Sequence, residues 1–153
     1  YFIESLRLFP GARLRGIDIS EGSLATAKGM INAFAPDTAY DLRLADVFQF
    51  NEGSYDYIVM GEVLEHVDDP LALLGRINGL LNPGGRFFVT TCANAPAEDH
   101  VYLYDSLGHI QKHLTQTGFH IDAEIAFAVD DKPEAEWETG RTEINYAAFL
   151  TKE

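Results

Sequence analysis

The chain has 153 residues, 46% of them hydrophobic and 23% charged, with a formal net charge of −13 at pH 7. That is long enough for one domain with a buried core, and an acid excess of this size repels phosphate backbones and anionic membranes, which excludes nucleic-acid binding through a basic face. The single cysteine, Cys92, excludes an internal disulfide, no apolar run approaches the roughly 20 residues of a membrane span, and Tyr1 to Leu8 lacks the basic start of a signal peptide, so a cytoplasmic location is the expectation.

Tyr1 to Phe9 reads as the tail of a helix that Pro10-Gly11 terminates. Arg13 to Ile19 predicts a short strand ending near Asp18. Ser20 is a candidate N-cap, with Glu21 in the first turn where negative charge suits the helix dipole. Leu24, Ala27, Met30, Ile31 and Phe34 recur at helical spacing and predict a helix over 21–34, broken by Pro36-Asp37. Tyr40 to Asp46 predicts a second strand, and Asn51 to Ser54 a turn. Tyr57 to Met60 is a short, uncharged, β-branched and aromatic run, the pattern of a buried strand.

Asp68-Asp69-Pro70 is a helix start, an acidic cap with proline at the first helical position. Leu71, Leu74, Ile77, Leu80 and Leu81 form its apolar stripe, and Asn82-Pro83-Gly84-Gly85 turns the chain. Arg86 to Thr91 predicts another buried strand, with Cys92 packing at its end. Ala93 to His100 is a loop. A helix starts at Asp105 or Ser106, with Leu107, Ile110, Gln111 and Leu114 on one face, and ends at Gly118. Phe119 to Ile125 alternates as a strand, Asp130 to Gly140 is a polar loop, and Glu143 to Leu150 is a last strand. Strands alternating with helical crossovers imply a doubly wound, mostly parallel α/β sheet in a single domain over 1–153. The last two strands lack a crossover helix and should pair antiparallel.

The chain is organised around Tyr55 to Val67. Gly61, Glu62, Glu65 and His66 follow directly on a strand, where open α/β sheets bind ligands. Asp56-Tyr57-Ile58-Val59, then Glu62-Val63-Leu64-Glu65-His66-Val67, then Leu81-Asn82-Pro83-Gly84-Gly85-Arg86-Phe87 resembles the middle of class I S-adenosylmethionine-dependent methyltransferases. The resemblance implies a Rossmann-like sheet and methyl transfer from S-adenosylmethionine to an O, N or C atom of a small molecule.

A carboxylate at a strand end can accept two hydrogen bonds from a vicinal diol. The resemblance makes Asp18, beside Ile19, the ribose ligand; capping of the following helix is the plainer role. It likewise makes Asp46 the acceptor from the adenine amino group, with the Val47 backbone amide at a ring nitrogen; a surface turn is the plainer role for Asp46, and Phe48 either covers one face of the base or packs in the core. Gly61 and Glu62 fall near the methionine part of the cofactor, where Glu62 can reach its amino group or the substrate; capping a turn is the alternative. Histidine titrates near neutrality, so His66 can take a proton from the acceptor, with Glu65 orienting it or raising its basicity; fixing the loop into the next helix is the structural alternative. The resemblance puts His100, Tyr102 and Tyr104 in the substrate-side loop, where they can line the acceptor pocket; solvated loop residues are the plainer reading. His109 and His113 have a metal-capable spacing, yet no third ligand accompanies them and no metal is expected.

The glycine-rich turn that cradles the methionine portion in this family, of the type Asp-x-Gly-x-Gly-x-Gly, does not occur in the sequence. The expectation is therefore the C-terminal part of a longer protein, lacking an N-terminal strand that would lie beside the Tyr57 strand. A partner chain is the other way to fill that place, and a homo-oligomer stays open. Two rival readings remain. One is a nicotinamide-dependent oxidoreductase, in which Asp18 serves equally but Asp46 has no matching role. The other is a non-catalytic nucleoside-binding or regulatory module of the same fold.

Overall fold

The computed structural model describes residues 1–9, 11–130, 132–139 and 142–153. The chain divides into two compact units, Tyr1–Asn51 and Glu52–Glu153. Of the expected helix terminator Pro10-Gly11, Pro10 lies outside the described residues, as do Asp131 and Gly140 of the expected polar loop.

The first unit runs α1 (Phe2–Leu8), β1 (Arg15–Asp18), α2 (Glu21–Phe34) and β2 (Asp41–Leu44). The strands pair in parallel from Arg15 opposite Asp41 to Asp18 opposite Leu44, and both are shorter than their apolar patterns suggested. Helix α2 starts where the cap predicts: the Ser20 hydroxyl accepts from the Ser23 amide at 3.2 Å. Its buried face differs from the expected stripe. Leu24 and Ala27 are half-buried and Ile31 and Ala35 buried, whereas Met30 and Phe34 are exposed. Met30 precedes Ile31 by one residue and so points about 100° away around the helix. The small core is Leu6, Ile31 and Ala35, with Phe2, Ile3, Leu14, Tyr40 and Leu42 packed on it.

The second unit contains β3 (Tyr55–Gly61), a 3-10 turn (Leu64–His66), α3 (Pro70–Leu80), β4 (Leu81–Ala93), α4 (Leu107–Gln116), β5 (Phe119–Ala128), a second 3-10 turn (Glu134–Thr139) and β6 (Ile144–Lys152). The sheet order is β3-β4-β6-β5. Strands β3 and β4 are parallel across the α3 crossover. Strand β6 lies between β4 and β5 and is antiparallel to both, as the missing crossover helix required. Helix α3 begins on its predicted cap, the Asp69 carboxylate accepting from the Ala72 amide at 2.9 Å ahead of Pro70. Its core face is Leu73, Leu74, Ile77 and Leu80; the expected Leu71 is exposed and Leu73 takes its place. Ser106 rather than Asp105 caps α4.

Two expectations are corrected. Asn82-Pro83-Gly84-Gly85 does not separate helix from strand, because β4 already begins at Leu81. Leu81 pairs with Tyr55 and Arg86 with Tyr57, so the intervening turn residues bulge out of the ladder. Strand β3 is not uniformly buried. Only Met60 is buried, and Tyr57 is 45% exposed. Within this sheet β3 is an edge strand, paired on one side by β4.

Candidate active site

In the first unit the two aspartates come together at one edge. Asp18 is the last residue of β1, and the Ala45 amide just past β2 donates to the Asp18 carbonyl at 3.0 Å, extending the parallel ladder. Asp46 follows Ala45, so both carboxylates stand at the C-terminal tips of neighbouring parallel strands. Asp18 Oδ1 accepts from the Ser20 amide at 2.8 Å. No described residue binds its Oδ2. Asp46 organises the next turn: Oδ1 accepts from the Phe48 amide at 2.9 Å and Oδ2 from Gln49 Nε2 at 3.2 Å, while its carbonyl accepts from the Gln49 and Phe50 amides. Large apolar side chains flank these acids in the open. Ile19 is 76% exposed and Phe48 43%, with Val47 half-buried.

In the second unit the corner after β3 is built around carboxylates. Gly61 ends the strand, and Glu62 adopts φ 52°, left-handed backbone that a side-chain-bearing residue takes at a cost of about 1–2 kcal/mol. The corner is tied to β4 twice: the Glu62 amide donates to the Thr90 carbonyl at 3.0 Å, and the Thr90 hydroxyl donates to Glu62 Oε1 at 2.5 Å. Glu65 is only 2% exposed. Its Oε2 accepts from the Thr91 hydroxyl at 2.8 Å, and its carbonyl accepts from the Val101 and Tyr102 amides. Burial raises the Glu65 pKa above the ordinary carboxyl value. The Glu62 carboxylate adds to that rise, and the hydrogen bonds from backbone and Thr91 oppose it.

His66 lies at the mouth of this corner. Its Nδ1 meets the Asp99 carbonyl at 2.8 Å, and a carbonyl only accepts, so Nδ1 carries the proton and Nε2 keeps its lone pair. His66 Nε2 is 4.0 Å from Glu65 Oε1, beyond hydrogen-bond reach. The group that orients the ring is therefore a backbone carbonyl, with Glu65 acting as a nearby charge. His100 stacks edge-on to His66 at 5.0 Å and likewise gives Nδ1 to a carbonyl, that of Ala95 at 2.6 Å. Ligating atoms of Glu65, His66 and His100 lie within 4.8 Å of one another, as do those of Glu62, Glu65 and Cys92. Burial and the nearby glutamates push the Cys92 thiol up to about 12, which makes it a poor ligand and a poor nucleophile.

Sequence reasoning missed Thr90 and Thr91, the two hydroxyls that hold the corner. The available signal was a threonine pair ending a strand predicted beside the one that feeds two glutamates. His109 and His113 are packing residues here. The Tyr102 hydroxyl meets His109 Nε2 at 3.1 Å, and Asp105 holds His109 Nδ1 at 3.1 Å. The buried His113 and Tyr104 face each other at 3.4 Å. Together they fasten the loop before α4 onto that helix.

The chain is 33% identical over 101 residues to a ubiquinone biosynthesis O-methyltransferase of Pseudomonas aeruginosa (strain UCBPP-PA14), covering 64% of this chain and 41% of the relative. It is 27% identical over 153 residues to phosphoethanolamine N-methyltransferase 2 of Caenorhabditis elegans, covering 93% of this chain and 35% of that one. The chain thus spans about two fifths of the length of the curated relatives it matches. Its fold follows that of the N-methyltransferase NodS from Bradyrhizobium japonicum WM9, solved in complex with S-adenosyl-L-homocysteine, at a TM-score of 0.70 and 17% identity, covering 97% of this chain and 71% of that structure. Residues 1–87 match the family model described as a methyltransferase domain, and the chain belongs to that family.

Proposed function

We propose that this chain carries the nucleoside-binding and proton-handling parts of a cytoplasmic S-adenosylmethionine-dependent methyltransferase acting on a small-molecule O, N or C acceptor. The observation that carries the reading is the pair Asp18 and Asp46 at the tips of adjacent parallel strands, with Asp18 Oδ2 uncommitted and apolar Ile19 and Phe48 exposed beside them. These residues fit a nucleoside: a diol has an acceptor for its hydroxyls, an exocyclic amine has a second acceptor, and a flat base has apolar side chains to cover. The relatives' names specify one oxygen and one nitrogen acceptor, and only the shared class is carried over. No helix among the described residues is long and apolar enough to cross a membrane.

When bound, the cofactor supplies an electrophilic methyl group on a sulfonium. Asp18 would accept from the ribose hydroxyls and Asp46 from the adenine amine, with Val47 flanking the base. In the second unit, His66 Nε2 takes the proton released by the acceptor. The Asp99 carbonyl holds the ring in the tautomer that leaves Nε2 able to do so. Glu65, at 4.0 Å, stabilises the imidazolium that results. Thr91 and Thr90 keep Glu65 and Glu62 in place.

Calorimetry of the protein with S-adenosylhomocysteine, and separately with NADH, tests the reading. S-adenosylhomocysteine should bind, and Asp18→Asn and Asp46→Asn should each weaken it roughly ten- to hundredfold, the loss of hydrogen bonds to a charged acceptor. NADH binding that Asp18→Asn weakens, with no response to S-adenosylhomocysteine, would replace the proposal with a nicotinamide-dependent oxidoreductase. Binding of neither would leave the non-catalytic module.

A further inference from the structure

A cavity lies within the Glu52–Glu153 unit. Residues of helix α4, strands β5 and β6 and the Glu134–Thr139 turn line an open depression of about 350 Å³, at the lower end of the ~300–1,000 Å³ typical of small-molecule sites. Its walls carry two aromatic residues, Trp137 and Tyr146, and two carboxylates, Glu124 and Glu134, with Leu107 and Gln111 from the helix.

The chemistry of these walls is unbalanced. Glu124 Oε2 accepts from the Tyr146 hydroxyl at 2.6 Å, and Gln111 Nε2 donates to both carboxylate oxygens at 3.0 Å. Those donors fix the carboxylate, yet each is neutral and none cancels its charge. Among the described residues no lysine or arginine pairs with Glu124 or Glu134. The Trp137 Nε1–H is already committed to the Lys132 carbonyl at 2.9 Å, so the indole has its π-system to offer a ligand.

Each ligand class can be weighed against this lining. An anion is repelled by both carboxylates. A neutral apolar molecule would strip water from the carboxylates and return nothing. A metal ion gains no ligand atom from the rings and would compete with the donors already on Glu124. An organic cation satisfies the whole lining: its charge meets the carboxylates and its alkyl surface meets the rings, the combination by which aromatic pockets hold quaternary ammonium groups. We propose that this cavity binds a small organic cation of the alkylammonium class. The proposal does not depend on methyl transfer.

The chain contains one tryptophan, so intrinsic indole fluorescence reports on this cavity alone. The full chain is titrated with choline, with its neutral isostere 3,3-dimethylbutan-1-ol, and with sodium chloride at matched ionic strength. Choline should shift the Trp137 emission saturably, with a dissociation constant on the order of millimolar, and the other two should not. Glu134 is exposed, so Glu134→Gln leaves the fold intact, as far-UV circular dichroism would verify. It should weaken choline about threefold, and the pair Glu124→Gln with Glu134→Gln about tenfold. An equal shift with the isostere or with salt, no saturable response to choline, or an affinity unchanged in both charge-removing variants would each overturn the proposal.

Discussion

Replacing Thr91 with valine isolates the charge of a buried carboxylate. Thr91 is fully buried, and its hydroxyl donates to Glu65 Oε2 at 2.8 Å, while Glu65 itself is 2% exposed. Valine keeps the branched shape and removes only the donor. Folded Glu65 holds its proton more tightly than the unfolded chain does, because burial raises its pKa. Its contribution to stability is therefore full below the ordinary carboxyl pKa and declines as pH rises through the raised value. The Thr91 hydrogen bond opposes that rise, so Thr91→Val should deepen the decline. At pH 8 the loss is that of a hydrogen bond to a charged acceptor, about 1.5–3 kcal/mol; towards pH 4 it approaches the neutral value, about 0.5–1.5 kcal/mol. Urea unfolding at both pH values measures the difference, and the same substitution in a Glu65→Gln background should lose its pH dependence. An equal cost at the two pH values, or a pH dependence that survives Glu65→Gln, would refute the assignment.

The remaining predictions probe other links. A Cβ on Gly85 would sit 2.8 Å from the Asn82 carbonyl and 3.2 Å from the Tyr55 carbonyl, both backbone groups that cannot swing aside. Gly85→Ala should therefore cost about 1–3 kcal/mol in denaturant unfolding. Leu74, fully buried on α3, should cost about 2–5 kcal/mol when cut to alanine, by the same measurement. Cys92, buried with its thiol held as high as about 12, should resist a disulfide reagent at pH 8 and react with one equivalent only after unfolding.

The local grammar of the chain was readable because it acts over a few residues. Ser20 and the Asp69-Pro70 start cap the helices they were expected to cap, since an N-cap bonds an amide three residues on. The antiparallel last pair followed from the lack of any helix to carry a crossover. Burial on α2 and α3 was only partly legible, because Met30, Phe34 and Leu71 are as apolar as the residues that are buried. Periodicity locates a stripe but does not fix its centre. The candidate site divides the same way. Asp18 and Asp46 stood out as acids ending predicted strands. The burial of Glu65 did not, because it depends on Thr91, 26 residues away, and on amides in the loop near Tyr102. The ring partner of His66 was harder still: a backbone carbonyl leaves no trace in side-chain identity.

The position of β6 bears on how the protein is made. A ribosome delivers this strand after β3, β4 and β5, yet it occupies the middle of their sheet and supplies the neighbour on which both β4 and β5 depend. Until Ile144 to Lys152 has left the exit tunnel, β5 has no strand to join and β4 keeps an open backbone edge. The first unit, by contrast, can pair β1 with β2 as soon as Leu44 has left the tunnel. A nascent chain should thus stay exposed to chaperones and proteases over this sheet until β6, the strand that completes it, has emerged.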